Sequence, residues 1–275
     1  MVRLVSRFVA LGDSLTEGVG DPHPRCPNGF RGWADLLAAR LAAGDPATDY
    51  ANLALRAKRV ADVAVEQVDP AIGMRPDLVT VWAGGNDLLR PVLRLDDVLD
   101  PLDQAVGRLA GTRARVVVLT GWAPVMSLVL RPVRARVAAF DREVRGIADR
   151  HGATLLDLAS LAGWSHPTRW SADRVHPSPT GHAGIADALG TLLGLPPTHR
   201  TAGAEAPESS RDGIRRWRDE GTWWFEHAAP HVLRWVAGAS SREQVRPKWP
   251  EPVRPASAFG WDGDLAPAHS PAEVA

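Results

Sequence analysis

The chain has 275 residues, no net formal charge, 45% apolar residues and 23% charged ones. That length suffices for one sizeable core with an appendage, and the neutral balance gives no electrostatic case for nucleic acid or an anionic membrane as the main partner. A single cysteine, Cys26, excludes an intramolecular disulfide and a cysteine-rich metal site.

The N-terminal residues, in which arginines break the apolar run and no small-residue cleavage site follows, read as a first strand rather than a signal peptide. The longest apolar stretch, residues 116–130, is interrupted by Gly121 and Pro124 and is too short for a membrane-spanning helix, so no stable membrane insertion is expected. A cytoplasmic enzyme or binding protein is the expectation.

From residue 4 to about 195, short apolar runs alternate with helical patterns. Strands are expected at Leu4–Leu11, Tyr50–Leu55, Leu78–Ala83, Val116–Thr120 and Thr154–Leu158. Between and after them the apolar spacing predicts helices at Trp33–Ala43, Val60–Val68, Asp97–Leu109, Val133–His151 and Pro179–Leu193. Such alternation argues for a parallel sheet with helices on both faces, and the continuous apolar character of the strands agrees, since parallel strands are covered on both sides. Composition changes near Pro196-Pro197. Residues 198–210 read as a linker, residues 211–238 as a Trp-rich pair of helices, and the proline-rich tail from Val245 as extended or disordered. The expected division is therefore a catalytic domain over 1–197 and an extension over 198–275. For the Trp-rich part, packing on the domain, covering the site and forming a homo-oligomer all stay open.

Three segments carry candidate chemistry. Gly12-Asp13-Ser14-Leu15-Thr16-Glu17-Gly18 places a serine where the first strand spills into a loop. It fits a helix capping box, Ser14 with Glu17, and equally a nucleophile, because a helix N-terminus also offers N–H groups to an oxyanion. Gly84-Gly85-Asn86-Asp87 follows the third strand and reads either as a turn or as a carboxamide donor for an ester carbonyl. Asp173-Arg174-Val175-His176 follows the fifth strand; a histidine is the usual base for a hydroxyl nucleophile, and an aspartate can orient its ring. All three segments belong to one rim, since ligands of open parallel sheets bind beyond the carboxyl ends of the strands. Asp13 and Gly85 are supporting residues there, Asp87 a brace, and His182 a structural histidine. No cofactor or metal pattern is present in the sequence.

Taken together, these residues resemble the SGNH (GDSL) hydrolase superfamily over about residues 3–195: Gly12-Asp13-Ser14-Leu15 for its first block, Gly84-x-Asn86-Asp87 for its third and Asp173-x-x-His176 for its last. The resemblance implies an α/β flavodoxin-like three-layer sandwich with a five-stranded parallel sheet, and serine-dependent ester hydrolysis. It implies Ser14 as nucleophile, His176 as base, Asp173 as its orienter, and an oxyanion hole from the Ser14 N–H, the Asn86 side chain and an N–H of the second block. There the chain departs from the pattern: Asn52-Leu53-Ala54-Leu55-Arg56-Ala57 aligns with the block, and Ala57 takes the place of a glycine. An alanine has the required N–H but is disfavoured at positive φ. The expected partner is a small-molecule ester, with residues 121–130 as a candidate acyl-pocket lining. An acyltransferase using the same site and a non-catalytic binding module on the scaffold are the rival readings.

Overall fold

The computed structural model describes residues 5–122, 131–197 and 245–259. Six strands form one sheet in the order β5-β4-β3-β1-β2-β6: β1 (Arg7–Gly12), β2 (Asp49–Asn52), β3 (Leu78–Trp82), β4 (Arg115–Thr120), β5 (Thr154–Asp157) and β6 (Trp249–Val253). The first five are parallel, β1 lying between β2 and β3. Every residue of β3, Leu78-Val79-Thr80-Val81-Trp82, is buried, as a central strand covered on both faces requires.

Two groups of helices cover the sheet. Helix α2 (Trp33–Gly44) packs with α8 (Pro179–Leu192), while α3 (Val60–Glu66), α4 (Val68–Gly73), α6 (Asp96–Ala110) and α7 (Arg131–His151) form the second group. The expected helix over 60–68 is α3, and a further helix that was not expected, α4, follows it after Gln67, whose side chain exchanges hydrogen bonds with both backbone groups of Gly12. Two one-turn helices, α1 (Ser14–Glu17) and α5 (Gly85–Leu88), follow directly on β1 and β3. They are too short to show a periodicity, and they carry the candidate residues.

The sixth strand comes from the proline-rich tail. It pairs antiparallel with β2, Tyr50 facing Val253 and Asn52 facing Trp249 with a register shift between the two pairs, so that Pro250, Glu251 and Pro252 fall between the paired residues. A short helix α9 (Pro255–Ala258) follows, and Phe259 stacks edge-on against Tyr50 with centroids 6.0 Å apart. The sheet is therefore mostly parallel and six-stranded rather than five-stranded, and part of the extension belongs to it. The Trp-rich segment 211–238 and the apolar segment 123–130 lie outside the described residues. Among the described residues, no helix is long and apolar enough to cross a membrane.

Candidate active site

At the end of β1 the chain turns into α1 with Asp13, not Ser14, as the capping residue: Asp13 Oδ1 accepts from the Leu15 N–H at 3.0 Å. The capping box expected from Ser14 and Glu17 does not form. Ser14 becomes the first helical residue, and its hydroxyl is not used as a cap. Glu17 turns inward instead. Its carboxylate is fully buried and accepts from the Arg56 N–H at 2.7 Å, from Arg56 Nη2 at 2.6 Å and from Asn28 Nδ2 at 3.1 Å.

The last block folds back as a tight loop in which Arg174 takes φ +56° and the Arg174 N–H donates to the Ser171 carbonyl. Asp173 Oδ1 accepts from Ser171 Oγ, Val175 N and His176 N, at 2.6, 2.9 and 3.0 Å. Its Oδ2 faces His176 Nδ1 at 2.7 Å, and His176 Nε2 lies 2.9 Å from Ser14 Oγ. Burial alone would raise the Asp173 carboxyl, but the hydrogen bonds and charge of His176 outweigh it and hold the group well below the usual carboxylate range. An ionised Asp173 can only accept, so Nδ1 carries the ring proton and Nε2 meets the Ser14 hydroxyl as an acceptor. Ser14 is 8% exposed and the His176 side chain 12%, so a narrow window reaches solvent at this pair.

Close backbone approach brings the two loops together. Gly20 has φ +102°, and a Cβ there would stand 2.1 Å from the Pro177 carbonyl oxygen, so only glycine lets the chain after Ser14 lie against the loop of His176. His182 is fully buried at the start of α8. It receives the Trp33 N–H on Nδ1 at 3.2 Å and places Nε2 3.1 Å from the Val19 carbonyl. Burial pushes it down to about 4, so it is a neutral brace tying the serine loop, α2 and α8. Trp122 is braced similarly, donating from Nε1 to the Val175 carbonyl at 2.9 Å.

The remaining candidates meet through one carbonyl. Asn86 Nδ2 donates to the Lys58 carbonyl at 2.9 Å, which fixes the carboxamide beside the loop of residues 53–59. In that loop the Lys58 N–H approaches the Leu55 carbonyl at 3.4 Å, and Ala57 takes φ +64°. The positive φ that glycine normally supplies is present, carried by alanine. Asp13 Oδ2 accepts from Gly84 N at 3.3 Å and joins α1 to α5; burial pushes its carboxyl up to about 7. Asp87 accepts from the Val60 N–H at 3.0 Å. At Gly85 an added Cβ would make ordinary contacts, 3.6 Å from Leu15 and 3.7 Å from Trp122, whereas Gly84 has φ +120° and would drive a Cβ to 2.9 Å from Phe140. The conformational demand for glycine falls on Gly84. Cys26 is buried, and burial pushes its thiol up to about 12, which removes it as a nucleophile.

Sequence reasoning missed Glu17 and Arg56 as the clasp between the first two blocks, and Ser171 as a partner of Asp173. A buried acid has no local signature; Arg56 had one, its place beside Ala57.

The model of the GDSL-like lipase/acylhydrolase family matches residues 10–183. The chain belongs to that family. As a GDSL-type member it is a serine esterase. Among solved structures it is similar to LAE5, an alpha/beta hydrolase enzyme from the metagenome of Lake Arreo, at 27% identity and TM-score 0.58, over 69% of this chain and 95% of that one. An acetylxylan esterase from Geobacillus stearothermophilus shares the fold at 21% identity and TM-score 0.58, over 70% of this chain and 95% of the other. So does the psychrotrophic esterase EstA from Pseudoalteromonas sp., at 17% identity and TM-score 0.56, over 69% and 97%. No curated protein sequence matches the chain.

Proposed function

We propose that this GDSL-family esterase cleaves a small acyl ester through an acyl-enzyme on Ser14. The observation that carries the reading is the unbroken hydrogen-bonded line from Ser14 Oγ to His176 Nε2, 2.9 Å, and from His176 Nδ1 to Asp173 Oδ2, 2.7 Å. In the first half-reaction His176 Nε2 takes the Ser14 hydroxyl proton while Oγ bonds to the ester carbonyl carbon, leaving the carbonyl oxygen negative. Asp173 stabilises the imidazolium. The intermediate collapses, the C–O bond to the alcohol breaks, and His176 returns the proton to the leaving oxygen. In the second, water gives a proton to His176 as its oxygen bonds to the acyl carbon; on collapse the bond from that carbon to Ser14 Oγ breaks, His176 returns the proton to Oγ and the acid leaves.

The developing oxyanion is met by the Ser14 N–H at the open end of α1, by the second N–H of the Asn86 carboxamide and by the Ala57 N–H. Such donors act where charge grows in the transition state. Fixing of the Asn86 amide by the Lys58 carbonyl supports its role, as does the positive φ at Ala57, which is the backbone state the second block calls for. Besides the ester and water, every group named in this route is a side chain or backbone group of the protein. We assign the catalytic unit to residues 1–197.

The first substrates to test are acetyl esters, including an acetylated xylo-oligosaccharide, because a neighbour of the same fold is an acetylxylan esterase. Wild-type protein should turn over p-nitrophenyl acetate, Ser14→Ala should not, and a fluorophosphonate should label Ser14. Undiminished turnover by Ser14→Ala would sink the mechanism. Product analysis in the presence of an alcohol acceptor separates hydrolysis from acyl transfer.

A further inference from the structure

Lys248 is one of only two lysines in the chain. Its side chain is completely buried against that of Asp35, with Nζ 2.5 Å from Oδ2. Nζ also donates to the carbonyls of Phe30 at 3.2 Å and Arg31 at 2.5 Å, so its three protons have three acceptors. A buried charge is tolerated only when it is matched this completely. Lys248 lies outside residues 10–183, the part of the chain that the family model matches.

From Asp35 the hydrogen bonds run on toward the site. The Tyr50 hydroxyl donates to Asp35 Oδ1 at 2.7 Å, and Asn52 Nδ2 donates to the Tyr50 hydroxyl at 3.0 Å and to the Thr16 carbonyl at 3.2 Å. Asn52 Oδ1 accepts from the Ala54 N–H at 3.0 Å. This route therefore ends on two elements, α1, which opens with Ser14, and the loop that carries Ala57. A second route leaves the same C-terminal segment. The Arg246 carbonyl accepts from Asn28 Nδ2 at 2.9 Å, Asn28 Nδ2 donates to Glu17 Oε1, and Glu17 holds the Arg56 N–H. It ends on the same two elements.

We propose that residues 245–259 strap the esterase site and that Lys248 is a positioning residue, aiming the Ser14 and Ala57 N–H groups at the oxyanion through Asp35, Tyr50 and Asn52. Without the ammonium, the Asp35 carboxylate is left buried with no cation. It must then take a proton or admit water, and either change re-aims the Tyr50 hydroxyl and with it the Asn52 carboxamide. No member of this chain of contacts is among the groups assigned to touch substrate, so the effect falls on the transition state. The inference rests on the acyl-enzyme reading above.

The test compares full-length wild type, Ser14→Ala, Lys248→Met and the double variant Lys248→Met/Asp35→Asn on p-nitrophenyl acetate, well below each melting temperature. Lys248→Met should lose about 10- to 100-fold in kcat, with KM held within about twofold. The double variant has no stranded charge and should retain the fold even if the single one fails to fold; it too should show the loss in kcat at unchanged KM. A folded variant of either kind with wild-type kcat, or a loss confined to KM, overturns the proposal. Absent turnover in wild type, or full turnover in Ser14→Ala, strikes the acyl-enzyme reading instead, and does so whatever the lysine variants show.

Discussion

The Arg56 N–H donates to the buried Glu17 carboxylate at 2.7 Å, which bolts the loop carrying Ala57 onto the helix that opens with Ser14. The Arg56 guanidinium closes over the same carboxylate and also covers the Phe30 ring, 5.2 Å from its centroid. Hydrogen bonds to a charged group contribute about 1.5–3 kcal/mol each, and Glu17→Ala removes several at once. It should destabilise the protein by about 3 kcal/mol or more and lower kcat further than Glu17→Gln, which keeps one acceptor. Urea unfolding and steady-state kinetics on the two variants would decide; equal kcat would mean that the clasp does not set the loop.

Ala57 at φ +64° offers an opposite change. A left-handed conformation costs an L-residue roughly 1–2 kcal/mol, while a glycine adds about 0.5–1 kcal/mol of backbone entropy to be lost on folding. Ala57→Gly should therefore leave stability level or raise it by up to about 1.5 kcal/mol and preserve activity. Ala57→Val, branched at the same φ, should destabilise and slow the enzyme. Thermal melts of both variants check the sign.

Asn86→Ala should reduce kcat by about 100- to 1,000-fold, the usual effect of deleting one oxyanion donor. The fold should survive, because the hydrogen bond lost with the carboxamide is the one to the Lys58 carbonyl. Retention of more than about a tenth of kcat would move the oxyanion contribution away from Asn86.

Asp13 predicts a pH dependence of stability. Burial raises its carboxyl in the folded protein to about 7 from an ordinary 3.8. A raised acid favours the fold fully below its unfolded value, and that contribution is lost as pH rises through the folded one. Between pH 5 and 8, wild type should thus lose stability in a way that Asp13→Asn does not. Asp141, pushed up to about 6 by burial, has the same sign but is common to both proteins and cancels in the difference. Parallel pH profiles of urea midpoints for the two would remove Asp13 as the source.

Ser14 and Asn86 stood out in the sequence because each follows an apolar run, and short loops after parallel strands meet at one rim; the Asp173–His176 pair, well beyond the end of β5, stood out only by its Asp-x-x-His spacing. Helices α2, α6, α7 and α8 were legible for a similar local reason, their apolar spacing. What was hidden depended on partners far along the chain. The cap on Asp13 rather than Ser14 is decided by Gly84, 71 positions away, which holds the other carboxylate oxygen. Glu17 reads as a cap from its spacing and is turned inward by Arg56. Strand β6 was concealed by its prolines, which argue against a strand everywhere except at an edge.

Those same prolines have a consequence for the sheet as a whole. An edge strand normally offers a row of free N–H groups on which another chain can pair. On β6, two of the three residues between those paired with β2 are Pro250 and Pro252, and neither has an N–H to offer. The tail thus closes β2 and at the same time ends the sheet with a strand that has fewer N–H groups on which a further strand could pair. A protein ending at residue 197 would lose both protections: Tyr50–Asn52 would become an open border, and such a chain should associate with itself more readily than the protein that keeps β6.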